Sequence, residues 1–142
     1  MSQFGGHLSE VVKVTTAAPT ATGTSTITGA AIDMAGFDGV MVVIRLGSPA
    51  TNNNIRLTQC DTTGGSYADL TGTLVGNHAT DNPLIVDLKR PVEGFIKYVV
   101  TRGTTTTIDT VCVIQYKART RPATQPSGTQ IERHHAPAEG TA

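Results

Sequence analysis

Turn-forming residues break this chain at short intervals, and nothing between the breaks carries a helical period. The breaks are Pro19, Gly23, Gly29, Asp38-Gly39, Gly47-Ser48-Pro49, Asn52-Asn53-Asn54, Gly64-Gly65, Gly76-Asn77, Asn82-Pro83, Gly94 and Arg102-Gly103. Each supplies a positive φ, a fixed φ, or a side chain that bonds its own backbone. The pieces between them suit strands, and eight are expected: Val11–Thr16, Thr24–Ile32, Gly39–Leu46, Asn54–Cys60, Tyr67–Val75, Leu84–Leu88, Phe95–Thr101 and Thr107–Lys117. No crossover helix is available to link parallel strands. The fold class is therefore all-β, a two-sheet antiparallel sandwich.

Threonine fills many of these pieces, as in Thr24-Ser25-Thr26-Ile27-Thr28 and Thr104-Thr105-Thr106-Thr107-Ile108; the chain has 24 Thr and no Trp. A β-branched residue stiff at χ1 suits a pleated surface, and its hydroxyl can face water or a partner without the solvation demand of a charge. At 142 residues one domain is expected, large enough to bury roughly two-thirds of its unfolded surface. Eleven basic and eleven acidic residues cancel, so the electrostatic footprint of a nucleic-acid binder or a polybasic membrane anchor is missing. The longest apolar run, Val40 to Ile44, is far below the ~20 residues of a membrane span. With no signal-like N-terminus, synthesis in the cytoplasm is expected.

The strand Ile55-Arg56-Leu57-Thr58-Gln59-Cys60 alternates, with Ile55 and Leu57 on a core face and Arg56, Thr58 and Cys60 on a wetter one. Val40-Met41-Val42-Val43-Ile44 does not alternate. It should be central, covered on one face by the second sheet and on the other by a loop or a partner subunit. Ile96, Tyr98 and Val100 face inward. The expected core is Val40, Val42, Ile44, Ile55, Leu57, Ile96, Tyr98, Val100, Val111 and Val113. Arg45, Arg56, Lys89-Arg90 and Arg102, with Asp69, Asp87, Glu93 and Asp109, read as a solvated surface of mixed sign, or more sharply as a polar interface where Arg forks pair carboxylates of a neighbouring subunit.

Little in the chain suggests catalysis. Cys60 and Cys112 have no CxxC spacing and no histidine beside them, so they read as buried reduced thiols, with a disulfide as the alternative. His7, His78, His134 and His135 are the only imidazoles; the adjacent pair sits in an Ala/Pro-rich tail where both cannot point at one metal without help from elsewhere. Asp33, Asp38, Asp61, Asp69, Asp81 and Asp87 are scattered beside turn residues and lack the dense spacing of a calcium loop. No G-x-S-x-G occurs, and Gly64-Gly65 is not poised between a strand and a helix. Phe4, Phe37, Phe95, Tyr67, Tyr98 and Tyr116 are too few to build a sugar-stacking platform or a base-stacking face. No enzyme activity and no cofactor are expected.

The ends differ from the middle. Residues 1–10 form an N-terminal arm, 11–117 the sandwich, and 118–142 an extended or disordered C-terminal arm too poor in apolar residues to order alone. Ordering against a partner surface or a sister subunit would involve Arg119, Arg121, Ile131, Arg133, His134 and His135.

The segment Ala30-Ala31-Ile32-Asp33-Met34-Ala35-Gly36-Phe37-Asp38-Gly39-Val40, then Lys89-Arg90-Pro91, then Tyr98-Val99-Val100-Thr101-Arg102-Gly103-Thr104 and the closing Pro137-Ala138-Glu139-Gly140-Thr141-Ala142, resembles the head cement or decoration proteins of tailed double-stranded DNA bacteriophages. The resemblance spans about Thr15 to Ala142 and rests on order and spacing, not on a chemical motif. It implies a sandwich of jelly-roll type on the capsid exterior of a virion, bridging major capsid proteins against internal DNA pressure. The implied partners are the major capsid protein and further copies of the chain, as a dimer or trimer, with neither nucleic acid nor membrane. The alternatives are a tail or neck connector, or a glycan-binding module of the same kind of particle.

Overall fold

The computed structural model describes residues 6–47, 52–76, 82–136 and 138–141. The turn residues Ser48, Pro49 and Asn77, with Phe4, His78, Asp81, Pro137 and the first five residues of the N-terminal arm, lie outside the described residues. Among the described residues, eleven strands follow a single 3-10 turn at Leu8–Glu10: β1 Lys13–Ala17, β2 Thr20–Gly23, β3 Ile27–Thr28, β4 Ile32–Asp33, β5 Gly39–Gly47, β6 Asn53–Cys60, β7 Ala68–Asp69, β8 Val75–Gly76, β9 Leu84–Lys89, β10 Phe95–Arg102 and β11 Thr106–Tyr116. All pair antiparallel, in two sheets. One sheet runs β1-β11-β5-β9 with β2 also on β11; the other runs β3-β10-β6-β7 with β4 on β10 and β8 on β6. The chain is an all-β, two-sheet antiparallel sandwich.

Two of the eight expected strands divide, and each has a local cause. The piece expected as Thr24–Ile32 becomes β3 and β4, both on β10. Gly29, Ala30 and Ala31 stand opposite only Tyr98 and Lys97, a one-residue bulge. A Cβ on Gly29 would lie 2.2 Å from the Tyr98 ring, so only glycine lets the backbone run under that ring while its N–H still donates to the Tyr98 carbonyl at 2.9 Å. The piece expected as Tyr67–Val75 becomes β7 and β8, both on β6. Between them the chain loops out through Gly72 at φ 82, and the Thr73 hydroxyl accepts from the Leu57 N–H at 3.1 Å while donating to the Leu70 carbonyl at 2.8 Å. A side chain replaces the missing rung.

Inner rows of the two sheets make the core. Val40, Val42 and Ile44 of β5, Ile55 and Leu57 of β6, and Ile96 and Val100 of β10 are fully buried, and Tyr98, Val111 and Val113 are buried with them. Leu46, Leu84, Val86, Ile108, Ile32 and Met34 complete the cluster. Burying one such aliphatic side chain contributes about 1.5–3 kcal/mol. β5 nevertheless alternates: Met41 and Val43 are only half-buried on the outer face, so the second sheet covers one side of this strand and not both. On β6 the supposed wet face is partly dry, because Thr58 and Cys60 are buried, and on β10 Val99 is buried on the face opposite Tyr98. Cys60 and Cys112 are both free; Cys112 is half-buried rather than buried, and the two occupy the outer faces of different sheets.

Arg102 departs most from its surface reading. It is 4% exposed and ends β10 beneath the β2–β3 connection. Its Nε donates to the Ser25 carbonyl at 2.8 Å, Nη1 to the Ala21 and Thr106 carbonyls at 2.8 and 3.0 Å, and Nη2 to the Ser25 hydroxyl at 2.9 Å. A guanidinium is suited to this because its fork presents fixed donors and stays charged. Beside it the buried Thr106 hydroxyl donates to the Gly47 carbonyl. Both side chains supply donors to carbonyls at one end of the sandwich. Arg102→Ala should lose about 3 kcal/mol of stability, since buried carbonyls lose charge-assisted donors; Arg102→Lys should recover only part of it. A urea denaturation series measures this, and an unchanged midpoint for Arg102→Ala would contradict the assignment.

Candidate functional site

The two chain ends meet beside the end of β11. β11 stops at Tyr116 because Lys117 adopts φ 53, a left-handed conformation that turns the backbone out of the sheet. The Ala118 N–H then donates to the Val11 carbonyl at 3.0 Å, that of Arg119 to Gly36 at 2.9 Å, and that of Ala123 to Glu10 at 2.9 Å. Ala123 is buried. Gln125 acts as a substitute strand against the open edge of β1: its Oε1 accepts from the Val14 N–H at 2.9 Å, and its Nε2 donates to the Val12 carbonyl at 2.6 Å and to Ser9 at 3.3 Å. This blunts the start of the β1 edge against pairing with a foreign strand. Further on, Arg133 Nε donates to the Ser9 hydroxyl at 2.7 Å, and the His135 ring lies 5.3 Å from that of His7.

Between these ends lies a groove of about 760 Å³ whose lining includes Leu8, Val12, Tyr116, Lys117, Arg119 and Arg121. Arg119 clamps Asp38 there, with Nε and Nη2 at 3.2 and 2.9 Å from one carboxylate oxygen. The pair is largely exposed, so it contributes at most about 1 kcal/mol. Asp38 is also tied through its backbone, its N–H donating to the Tyr116 carbonyl and its own carbonyl accepting from Arg90. Tyr116 packs flat on Gly39, where a Cβ would come within 2.2 Å of the ring. Its hydroxyl donates to Asp87 at 2.6 Å. Burial first, and then the bond to and charge of Asp87, push the phenol up to about 12.

Of the residues singled out from sequence, Arg119 and Arg121 line the groove, and Ile131, Arg133, His134 and His135 lie on the outer stretch of the arm. Arg133 and His135 are brought to the N-terminal segment, whereas His134 pairs only locally, with Glu132 at 3.2 Å. Every described residue from Ser127 to Ala136 is exposed. In sequence Asp38 reads only as a turn residue in a scatter of carboxylates and Tyr116 only as one of few aromatics, while Ser9 and Gln125 carry no periodic or spacing signal that could reveal them. Among the described residues, no three His, Cys, Asp or Glu side chains come together as a metal-holding group, and no helix is long and apolar enough to cross a membrane. The arrangement can grip an extended or acidic surface. No protein-family model matches the chain, and no curated protein matches it.

Because the folded Tyr116 pKa is raised above its ordinary 10.0, its contribution to stability is fully present below pH 10 and is lost as the pH climbs from there to about 12. Phenolate absorbance should show one tyrosine ionising near that upper limit. Asp87→Asn should bring it down only part of the way, since burial is the larger cause. A titration unchanged by Asp87→Asn would contradict the hydrogen bond.

Proposed function

We propose that this chain is a structural virion protein that binds the outside of a phage head and cements neighbouring major capsid proteins, with no catalytic step of its own. One observation carries the reading. The C-terminal segment is tethered to the body at Ala118, Ala123, Gln125 and Arg133, yet leaves its outer side chains, Ile131 at 39% among them, facing outward. A tethered, pre-oriented arm lowers the ordering entropy of gripping a second surface. Many copies on a symmetric lattice add weak grips into a strong clamp.

The connectivity supports a jelly-roll reading of the sandwich. With β2 set aside and β3/β4 and β7/β8 each taken as one strand, the eight strands run 1-8-3-6 in one sheet and 2-7-4-5 in the other. That is two interleaved Greek keys. It agrees with the architecture that the resemblance to head cement proteins implies.

Two measurements test the function. Changing Ile131 and His134 together to alanine in the full chain should leave the tethers intact and reduce occupancy on heads by at least about tenfold; undiminished decoration sinks the proposal. Quantitative mass spectrometry of particles should find on the order of hundreds of copies per virion, whereas about a dozen identifies a connector.

A further inference from the structure

The two outer faces of the sandwich are built from different materials. Outside the β10/β6 sheet lie Lys97, 4.3 Å over the Tyr67 ring, and Arg56, paired to Asp69 at 2.9 Å and bonded to Thr101. These charged side chains lie on the same face as Thr58, Cys60 and Val99, which are buried there. Outside the β11/β5 sheet, two adjacent rows cross four strands. One row reads Val14, Ile114, Met41 and Asp87, and the next Thr16, Cys112, Val43 and Ile85. Six of these eight are apolar, with Val14 38% and Ile85 48% exposed and the other four half-buried. Strands about 4.8 Å apart with outward residues about 7 Å apart give these two rows an outline on the order of 300 Å², the size of the largest apolar patch on a typical monomer, which is often functional.

We infer that this face is the interface of a two-fold dimer of the chain, sheet packed on sheet as in the interior. The charges at its ends select a second copy as the occupant. Arg45 lies one outward position beyond Val43 on β5, and Asp87 lies toward the other end beside Met41, held by the Tyr116 hydroxyl through one of its oxygens. A two-fold axis across the strands lays each strand over its own copy reversed, and so brings Arg45 of one copy toward Asp87 of the other. An axis along the strands would set Arg45 against Arg45. Lys89 falls a further row out, at the rim, where solvent screens it. The face is therefore self-complementary in shape and charge, which an isologous contact requires. With its rim such a face buries roughly 1,000 Å² in total, the lower end of specific interfaces, which fits a Kd on the order of 10 µM. The inference gives a surface to the self-association that the resemblance implies and does not depend on the capsid.

Sedimentation equilibrium of the purified full chain tests it without any heads present. The wild type should pass from monomer to dimer around that concentration, and Ile85→Lys, at an exposed position that costs the core nothing, should weaken dimerisation at least about a hundredfold with an unchanged melting curve. Arg45→Asp and Asp87→Arg should each weaken it, and the double variant should restore it. Any of three results overturns the inference: a wild type that stays monomeric to about thirty times the expected Kd, a dimer indifferent to Ile85→Lys, or a trimer. A monomer whose decoration of heads is lost in Ile85→Lys would assign the face to the capsid instead, and likewise overturns it.

Discussion

The structure depends on one constraint: the inner rows of two strand pairs, β11 with β5 and β10 with β6, must be removed from water together. Val40, Val42 and Ile44 have nothing to pack on until Ile55, Leu57, Ile96 and Val100 arrive from the other sheet, and neither set is buried alone. The chain passes between the sheets at most of its connections. Few of these contacts are local, so the sandwich closes as a unit and its core is inseparable from its long-range pairing.

Around that core, polar groups close the ends of the layers. Arg102 satisfies carbonyls of the β2–β3 connection and of β11 with a single guanidinium. At another margin Gln125 supplies the partner that β1 lacks, using a side-chain amide as a length of strand. The two devices share a logic. A backbone group at the margin of a β fold must be paired or solvated, and a long side chain can pair it where no strand reaches. The second device also fixes where the arm leaves the body, which makes the exposed stretch beyond it a pre-oriented grip.

The outer faces extend the comparison. One sheet sets Arg56 and Lys97 outward beside the buried Val99 and Cys60, the other valine, isoleucine, methionine and cysteine with Asp87. The unbroken Val40–Ile44 run suggested a strand covered on both faces, and half of that cover, the second sheet, lies within this chain. The outer half is the exposed apolar face assigned above to a second copy.

Strand periodicity and turn chemistry by themselves determined the all-β class and most strand positions, because a period of two and a glycine or proline break are local properties. They also marked the chain ends as different in kind. Only tertiary structure decided that Arg102 is buried, that Gly29 and Thr73 split two strands, that Gln125 and Ser9 receive the arm, and that Asp38, Arg119 and Tyr116 share one groove. Each of those contacts joins residues distant in sequence or depends on one ring or hydroxyl lying against a particular backbone. Hydropathy and spacing carry no record of such a meeting. It exists only once the sheets have closed.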